Sequence, residues 1–257
     1  MMDLWQYLIL GLAGLFGGVL AGLFGVGGGA IFVPALVYGA GWNIGEAVAA
    51  SLVIIVFSAL SGTLRSMRSE ATVDWKAATL FSLTVAPSSL IGVAASGFFS
   101  ETFTQLVFAG FLLALAYPTA RTGKRYRESI RVSTGSHLAV ALLGGVGAGA
   151  LAGLIGIGGA VLTVPLMIFG FGLSPKIAIS SSLVVTLLVG VVGATGYLVA
   201  GFDRLAGLPP LIVGSMIGAW PGVRIRERLG EVVLQRAFAV YMVVIAVLMV
   251  VDAANGS

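Results

Sequence analysis

A motif of glycines followed by a proline occurs twice in this chain, and it limits the folds that the chain can adopt. The segment GLFGVGGGAIFVPAL begins at Gly22, and GLIGIGGAVLTVPLM begins 131 residues later at Gly153. An ungapped alignment of residues 21–54 with residues 152–185 has 14 identities in 34 positions. Shorter matches continue beyond it. The sequence therefore predicts two homologous halves, residues 1–120 and 135–257, joined by a basic linker at 121–134.

Apolar runs of membrane-spanning length follow one another along both halves. Only 9% of the residues are charged, whereas soluble domains have about 25%. A transmembrane helix needs about 20 predominantly apolar residues. The predicted spans are 4–24, 44–64, 76–97 and 103–120 in the first half, and 136–156, 177–199, 205–223 and 232–251 in the second. We therefore predict an all-α polytopic membrane protein.

A shorter apolar piece follows each glycine motif, at 30–40 and at 161–171. As a helix, each piece is about 16 Å long, roughly half of the hydrocarbon layer of about 30 Å. If these half-helices complete a crossing together with the glycines, each half has five passes and the halves are inverted. If they turn back, each half has four passes and the halves are parallel.

The basic residues favour the inverted arrangement. With the amino terminus outside, inversion puts 13 of the 14 Lys and Arg residues on the cytoplasmic side and leaves only Arg204 outside, as the positive-inside rule requires. In the parallel arrangement, equivalent loops would share a side, yet 97–103 has no basic residue and 223–232 has three. We predict two inverted repeats with about ten membrane segments (5+5), both termini outside, and a cytoplasmic linker that contacts anionic lipid headgroups.

Glycine breaks at membrane depth are tolerated where they lie inside protein or beside a watery cavity. We expect the short helices to begin at residues 31–33 and 162–164, so that Pro34 and Pro165 fall in the first turn. The glycines would then precede helix starts, which expose backbone N–H groups and the positive end of the helix dipole. Secondary transporters with inverted repeats commonly build an anion site from such broken helices.

The predicted substrate site combines both motifs with hydroxyl residues that follow them. Ser51 and Ser182 match in the repeat and could donate to an anion or only hydrogen-bond their own helices. The glycines could likewise serve only close helix packing. Asn43 and Thr186 are weaker candidates. The predicted substrate-binding residues are Gly25, Gly27, Gly28, Gly29, Pro34, Ser51, Gly156, Gly158, Gly159, Pro165, Ser181 and Ser182.

Several functional classes are disfavoured by composition. The chain has no Cys and a single His, which excludes disulfides, thiolate metal sites and a His cluster. It has no phosphate-binding loop motif and no carboxylate pair inside an apolar run. We therefore predict no catalytic residue, metal or cofactor. The net charge of +4 is interpreted as membrane topology and not as nucleic-acid binding.

The doubled motif, with SLVII at Ser51 and SLVVT at Ser182, resembles the sulfite exporter TauE/SafE family, also described as the 4-toluene sulfonate uptake permease family. The resemblance covers essentially the whole chain. It implies a carrier in a prokaryotic inner membrane that exports small sulfur-containing anions such as sulfite, sulfoacetate or organosulfonates. The alternatives are an anion channel and an importer of an organosulfonate or other small organic anion. Ala160 stands where the first half has Gly29, so the two half-sites need not be equivalent.

Overall fold

Helices account for nearly all of the chain that the structure describes. The computed structural model describes residues 4–68, 73–95, 98, 100–121, 139–156, 159–203 and 207–255. In the first half these are α1 (Leu4–Phe24), α2 (Gly29–Pro34), α3 (Ile44–Ser66), α4 (Trp75–Ala95) and α5 (Glu101–Arg121). The second half has α6 (Gly145–Ile155), α7 (Ala160–Phe171), α8 (Pro175–Val199), α9 (Leu208–Arg228) and α10 (Glu231–Asn255). The all-helical prediction is confirmed for these residues, and the predicted linker lies outside them except at Arg121.

Five of the described helices are long and apolar enough to cross a membrane. They comprise residues 5–24, 45–66, 75–95, 175–199 and 231–254. Shorter apolar helices cover 29–39, 105–120, 141–155 and 160–171. Large apolar side chains also cover the outer surface, for example Leu83 at 69% and Leu143 at 80% exposure. These features are those of a multi-pass membrane protein, whose outer helix faces contact lipid.

The helix that follows each short helix begins with the same kind of cap. The π-helical turns are not repeated, because Ala35–Gly39 continues α2 whereas Val140–Gly144 leads into α6. Asn43 caps α3 by accepting a hydrogen bond from the backbone N–H of Glu46 at 2.9 Å. Ser174, 131 residues later, caps α8 by accepting from the N–H of Ile177 at 3.3 Å. Asn43 therefore has a capping role.

The first helix of each half packs against the fourth helix of the other half. Helix α1 packs along α9, and α4, the equivalent of α9, packs along α6. Small residues allow this approach: a Cβ added at Gly18 would lie 2.7 Å from the Cα of Ser215. A Cβ at Gly149 would lie 2.9 Å from the carbonyl carbon of Val85. Close backbone packing through small residues is typical of helices in membranes.

The central pair, α3 and α8, consists of repeat equivalents that run antiparallel. Gly62 near the end of α3 faces Leu183 near the start of α8, whereas Gly193 near the end of α8 faces Leu52. By contrast, α1 and α9 run parallel, since Gly14 faces Leu211 and the later residue Gly22 faces the later residue Ala219. The short helices α2 and α7 pack beside this central pair.

Candidate functional site

The first glycine loop, residues 25–28, joins α1 to α2 at the centre of the molecule. Gly25, Gly27 and Gly28 have φ angles of 75°, 73° and 84°, in the left-handed region that side-chain-bearing residues avoid. The carbonyl of Gly28 accepts hydrogen bonds from the N–H groups of Ile31 and Phe32, at 2.9 and 3.2 Å. This left-handed residue therefore starts the short helix.

The second glycine loop, residues 156–159, has the same design. Gly156 and Gly159 have φ angles of 73° and 69°. The carbonyl of Gly159 accepts from the N–H groups of Leu162 and Thr163, at 3.2 and 3.1 Å. Gly158, a predicted site residue, lies outside the described residues.

The short helices begin earlier than the prolines suggest. Helix α2 begins at Gly29 and α7 at Ala160, so the expected starts at 31–33 and 162–164 are wrong. The glycine carbonyls organise the first turn, and each proline occupies the sixth helical residue. There a proline leaves the carbonyl four residues earlier without its usual donor. The two prolines also differ, because Pro34 is exposed and Pro165 is buried.

Hydroxyl groups hold each loop across the boundary between the halves. Ser51 of α3 donates to the carbonyl of Gly156 at 2.7 Å and is equally close to the carbonyl of Val48 in its own helix. Ser182 of α8, the repeat equivalent of Ser51, is 3.4 Å from the carbonyl of Gly25 and 2.9 Å from the carbonyl of Ile179 in its own helix. Thr186 reaches the same carbonyl at 3.3 Å. The serines thus fasten the loop of the opposite half, and as substrate ligands they stay predictions.

Gly27 marks the depth of the first loop. A Cβ at Gly27 would lie 2.7 Å from Cγ2 of Thr186 and 3.0 Å from Cγ2 of Ile55. Ile55 is the twelfth of 23 residues in α3, and Thr186 is the twelfth of 25 in α8. The loop therefore reaches the middle of both central helices.

Protein atoms fill the space beside several of these glycines. A Cβ at Gly28 would lie 2.6 Å from the ring of Phe32 and 2.7 Å from the carbonyl oxygen of Gly17. A Cβ at Gly156 would lie 2.6 Å from Oγ of Ser51. Close packing, the alternative reading of the motif, therefore accounts for the missing side chains at these positions.

The backbone N–H groups of the loops differ from the carbonyls in whether they have hydrogen-bond partners. Within the described residues, no backbone hydrogen bond uses the N–H groups of residues 26–30, nor those of residues 159–161. The carbonyls of Gly25 and Gly156, by contrast, are held by hydroxyl groups. Each loop consequently presents hydrogen-bond donors in a buried setting, where an unpaired donor is costly.

Comparison with known proteins identifies the family of the chain. The family model described as sulfite exporter TauE/SafE matches residues 10–249. The chain belongs to this family. Its relatives include the probable membrane transporter proteins YunE and YdhB of Bacillus subtilis, 27% and 28% identical, with 87% and 86% of this chain and 90% of each relative covered. The probable membrane transporter protein MJ0441 of Methanocaldococcus jannaschii is 28% identical over 76% of this chain and 73% of that protein. No solved structure gives a significant match.

Ser181 of this TauE/SafE family member forms no hydrogen bond with the described residues of either glycine loop. Its Oγ accepts a hydrogen bond from the backbone N–H of Asp74 at 2.9 Å. The carboxylate of Asp74 in turn accepts from the N–H of Ala77 at 2.9 Å, which caps α4. Ser181 therefore ties the start of α4 to α8. Gly29, the remaining predicted residue, is buried as the first residue of α2.

Sequence reasoning missed one polar residue that the TauE/SafE fold buries. The sequence predicts Arg226 in a cytoplasmic loop after a span ending at 223, but α9 continues to Arg228. The side chain of Arg226 is fully buried. The first glycine after Val223 is Gly230, so the uninterrupted segment was the available signal that the helix continues.

Proposed function

We propose that this transporter exports a small sulfur-containing anion, such as sulfite, sulfoacetate or another organosulfonate, and binds it at the two glycine loops. The proposal rests on the contrast between the carbonyl groups and the N–H groups of each loop. Hydroxyl groups from the opposite half occupy the carbonyls of Gly25 and Gly156, while the following N–H groups have no backbone partner in the described residues. Buried N–H donors in glycine-rich turns suit an anion with several acceptor oxygens.

The helix directions support inverted repeats. Two equivalent helices that cross the membrane run antiparallel only if one half is turned over relative to the other. The pair α3 and α8 has this relation. It agrees with five passes in each half, in which α2 and α7 complete crossings that the glycine loops begin. With the basic residues inside, both termini face outward from a prokaryotic inner membrane and the linker at 121–134 is cytoplasmic.

The cross-links between the halves suggest how the site changes access. Each glycine loop belongs to one half and is fastened by a serine of the other. Rocking of the halves would therefore move each loop relative to its own first helix, as alternating access requires. The described residues include no carboxylate hydrogen-bonded to either loop, so a single anion would move as net charge. Its exit from a cell with a negative interior is favoured by about 2.3 kcal/mol per 100 mV.

A ligand screen on the purified protein tests the substrate class. We expect sulfite or an organosulfonate to raise the melting temperature in a saturable manner. A ligand at 100 times its Kd adds about 2.7 kcal/mol, which corresponds to a rise of about 5–10 °C for a chain of this size. Sulfate, chloride, acetate and a cationic amine complete the panel. Stabilisation only by the amine, or by no compound, would contradict the proposal.

Two glycine variants locate the binding. Gly27→Ala adds a methyl group to a loop residue with a φ of 73° and close neighbours, so we expect it to lose the stabilisation by anion. Gly147→Ala makes the same chemical change on α6, where no atom lies within 4 Å of the added Cβ. This matched control should keep the full response. If the anion stabilises both variants equally, it does not bind at the loop.

A further inference from the structure

Arg226 is the largest fully buried side chain in the described part of the protein. It lies in the last turn of α9 and joins three helices of the bundle. Its Nη1 donates to the carbonyl of Gly22 in α1 at 3.1 Å, and its Nη2 donates to Oγ of Ser66 at the end of α3 at 2.8 Å. Among the described residues, its Nε has no hydrogen-bond partner. The guanidinium therefore keeps at least this buried donor atom available.

The contact with Gly22 places this guanidinium beside the first glycine loop. Helix α1 ends at Phe24, two residues after Gly22. Carbonyl groups of an α-helix point toward its carboxyl end, and those of the last turn extend beyond the helix. A group that binds the carbonyl of Gly22 therefore lies just past the end of α1, where Gly25 begins the loop.

Among the described residues, no carboxylate forms an ion pair with Arg226. The nearby carboxylate of Glu227 pairs through Oε2 with Arg65 at 3.3 Å. No other ion pair forms between described residues. A buried charge without a paired counter-charge is strongly unfavourable. Another buried group, Oγ1 of Thr63, lies one helical turn from Ser66 on α3 and also has no hydrogen-bond partner in the described part of the chain.

The other half shows that capping this helix end does not need a charge. Gly153 is the repeat equivalent of Gly22, and its carbonyl accepts a hydrogen bond from the phenol of Tyr197 at 3.1 Å. Tyr197 occupies the position equivalent to Ser66, 131 residues earlier. A neutral hydroxyl thus does in one half what the cation does in the other. Capping of the helix end therefore does not explain the positive charge of Arg226 or its unpaired Nε.

We propose that Arg226 binds the transported anion directly, beside the first glycine loop and among the carboxyl ends of α1, α3 and α9. The ligand is a small oxyanion that accepts a hydrogen bond from Nε and is oriented by the hydroxyl groups of Thr63 and Ser66. This inference rests on the proposed function for the transport role and for the identity of the anion. In the inverted topology these three carboxyl ends lie toward the cytoplasm, where an exporter loads its substrate.

The test compares variants of the full-length protein in proteoliposomes with radiolabelled sulfite as the probe. Arg226→Met should raise the KM for sulfite about tenfold or more, because a charge-assisted hydrogen bond is lost. Tyr197→Phe, the matched control, removes the equivalent cap of the other half and should leave the KM within about twofold of wild type. Equal changes in KM would make Arg226 a structural cap and overturn the proposal.

Glu227→Gln gives a readout of opposite sign. Removing this carboxylate makes the surroundings of Arg226 more positive, so the KM should fall about two- to fivefold. Ser66→Ala keeps the charge but removes one orienting bond, so the KM should rise. These two variants also decide the case if Arg226→Met does not fold. An unchanged KM in both overturns the proposal.

A thermal-shift panel of sulfite, phosphate and acetate separates this inference from the proposed function. If sulfite stabilises wild type and Arg226→Met equally, the proposed role of Arg226 is overturned, whereas the proposed transport of a sulfur-containing anion is supported. If only phosphate or acetate stabilises wild type, and does so through Arg226, the anion site is supported and the sulfur substrate class falls. If none of the three stabilises wild type, both fall.

Discussion

Removing the hydroxyl of Ser51 should destabilise the protein more than removing that of its repeat equivalent, Ser182. Ser51 lies 2.7 Å from the buried carbonyl of Gly156, and no other side chain of the described residues reaches that oxygen. Ser182 lies 3.4 Å from the carbonyl of Gly25, and Thr186 shares that acceptor at 3.3 Å. The Ser51→Ala variant therefore leaves a carbonyl without a side-chain partner, whereas Ser182→Ala does not.

The structure sets the size of the difference. A buried carbonyl that loses its partner costs about 1–3 kcal/mol, so this is the expected loss for Ser51→Ala. Ser182→Ala removes a long, shared hydrogen bond and should cost less than about 1 kcal/mol. Alanine regains up to about 0.5 kcal/mol of helix propensity in both variants, which leaves their difference unchanged. The combination of Ser182→Ala with Thr186→Val should approach the cost of Ser51→Ala.

Thermal unfolding in detergent, followed by tryptophan fluorescence, measures these effects. At about 2–4 °C per kcal/mol, Ser51→Ala should melt about 2–12 °C below wild type and Ser182→Ala within about 4 °C of it. Ser89→Ala is the matched control, because buried Ser89 donates only to the carbonyl of Ala86 in its own helix, at 2.6 Å. The reasoning is refuted if Ser51→Ala melts no lower than Ser89→Ala, or if Ser182→Ala is the least stable of the three.

Two further predictions concern packing and topology. Gly18→Ala puts a Cβ 2.7 Å from the Cα of Ser215, so α1 and α9 must separate and the protein should lose about 1–3 kcal/mol; Gly147→Ala should instead gain up to about 1 kcal/mol, and an equal melting temperature for both variants would contradict the packing account. A cysteine added after Ser257 should react with a membrane-impermeant maleimide in intact cells, whereas one at Gly123 should react only after lysis, and the reverse pattern would exclude outward termini.

The broad architecture could be predicted because it depends on patterns that recur in the sequence. The duplicated Gly-x-Gly-Gly and Val-Pro segments identified the repeat and the two short helices, and their observed bounds, Gly29–Gly39 and Ala160–Phe171, differ little from 30–40 and 161–171. Hydropathy located the long helices within a few residues, except that α9 continues to Arg228, beyond the predicted end at 223. These signals are local, so they survive without knowledge of tertiary contacts.

The details of the site depended on contacts that the sequence does not record. Proline position suggested where α2 begins, but the left-handed backbone of Gly28 and its carbonyl set the start. The serines match in the repeat, yet their hydrogen-bond partners include carbonyls of the opposite half as well as carbonyls of their own helices. The positive charge of Arg226 predicts a loop residue, although no helix-ending signal precedes Gly230. Tertiary packing decided each of these features.

Charge movement during transport tests the central claim most directly. Proteoliposomes loaded with radiolabelled sulfite and potassium acquire an inside-negative potential when valinomycin is added in a low-potassium medium. We predict that 100 mV of this potential accelerates sulfite efflux, since it supplies about 2.3 kcal/mol for one charge, enough for a gradient of about 50-fold. Efflux that ignores the potential and follows an imposed pH gradient would contradict electrogenic export. Efflux no faster than from protein-free liposomes would contradict sulfite transport itself.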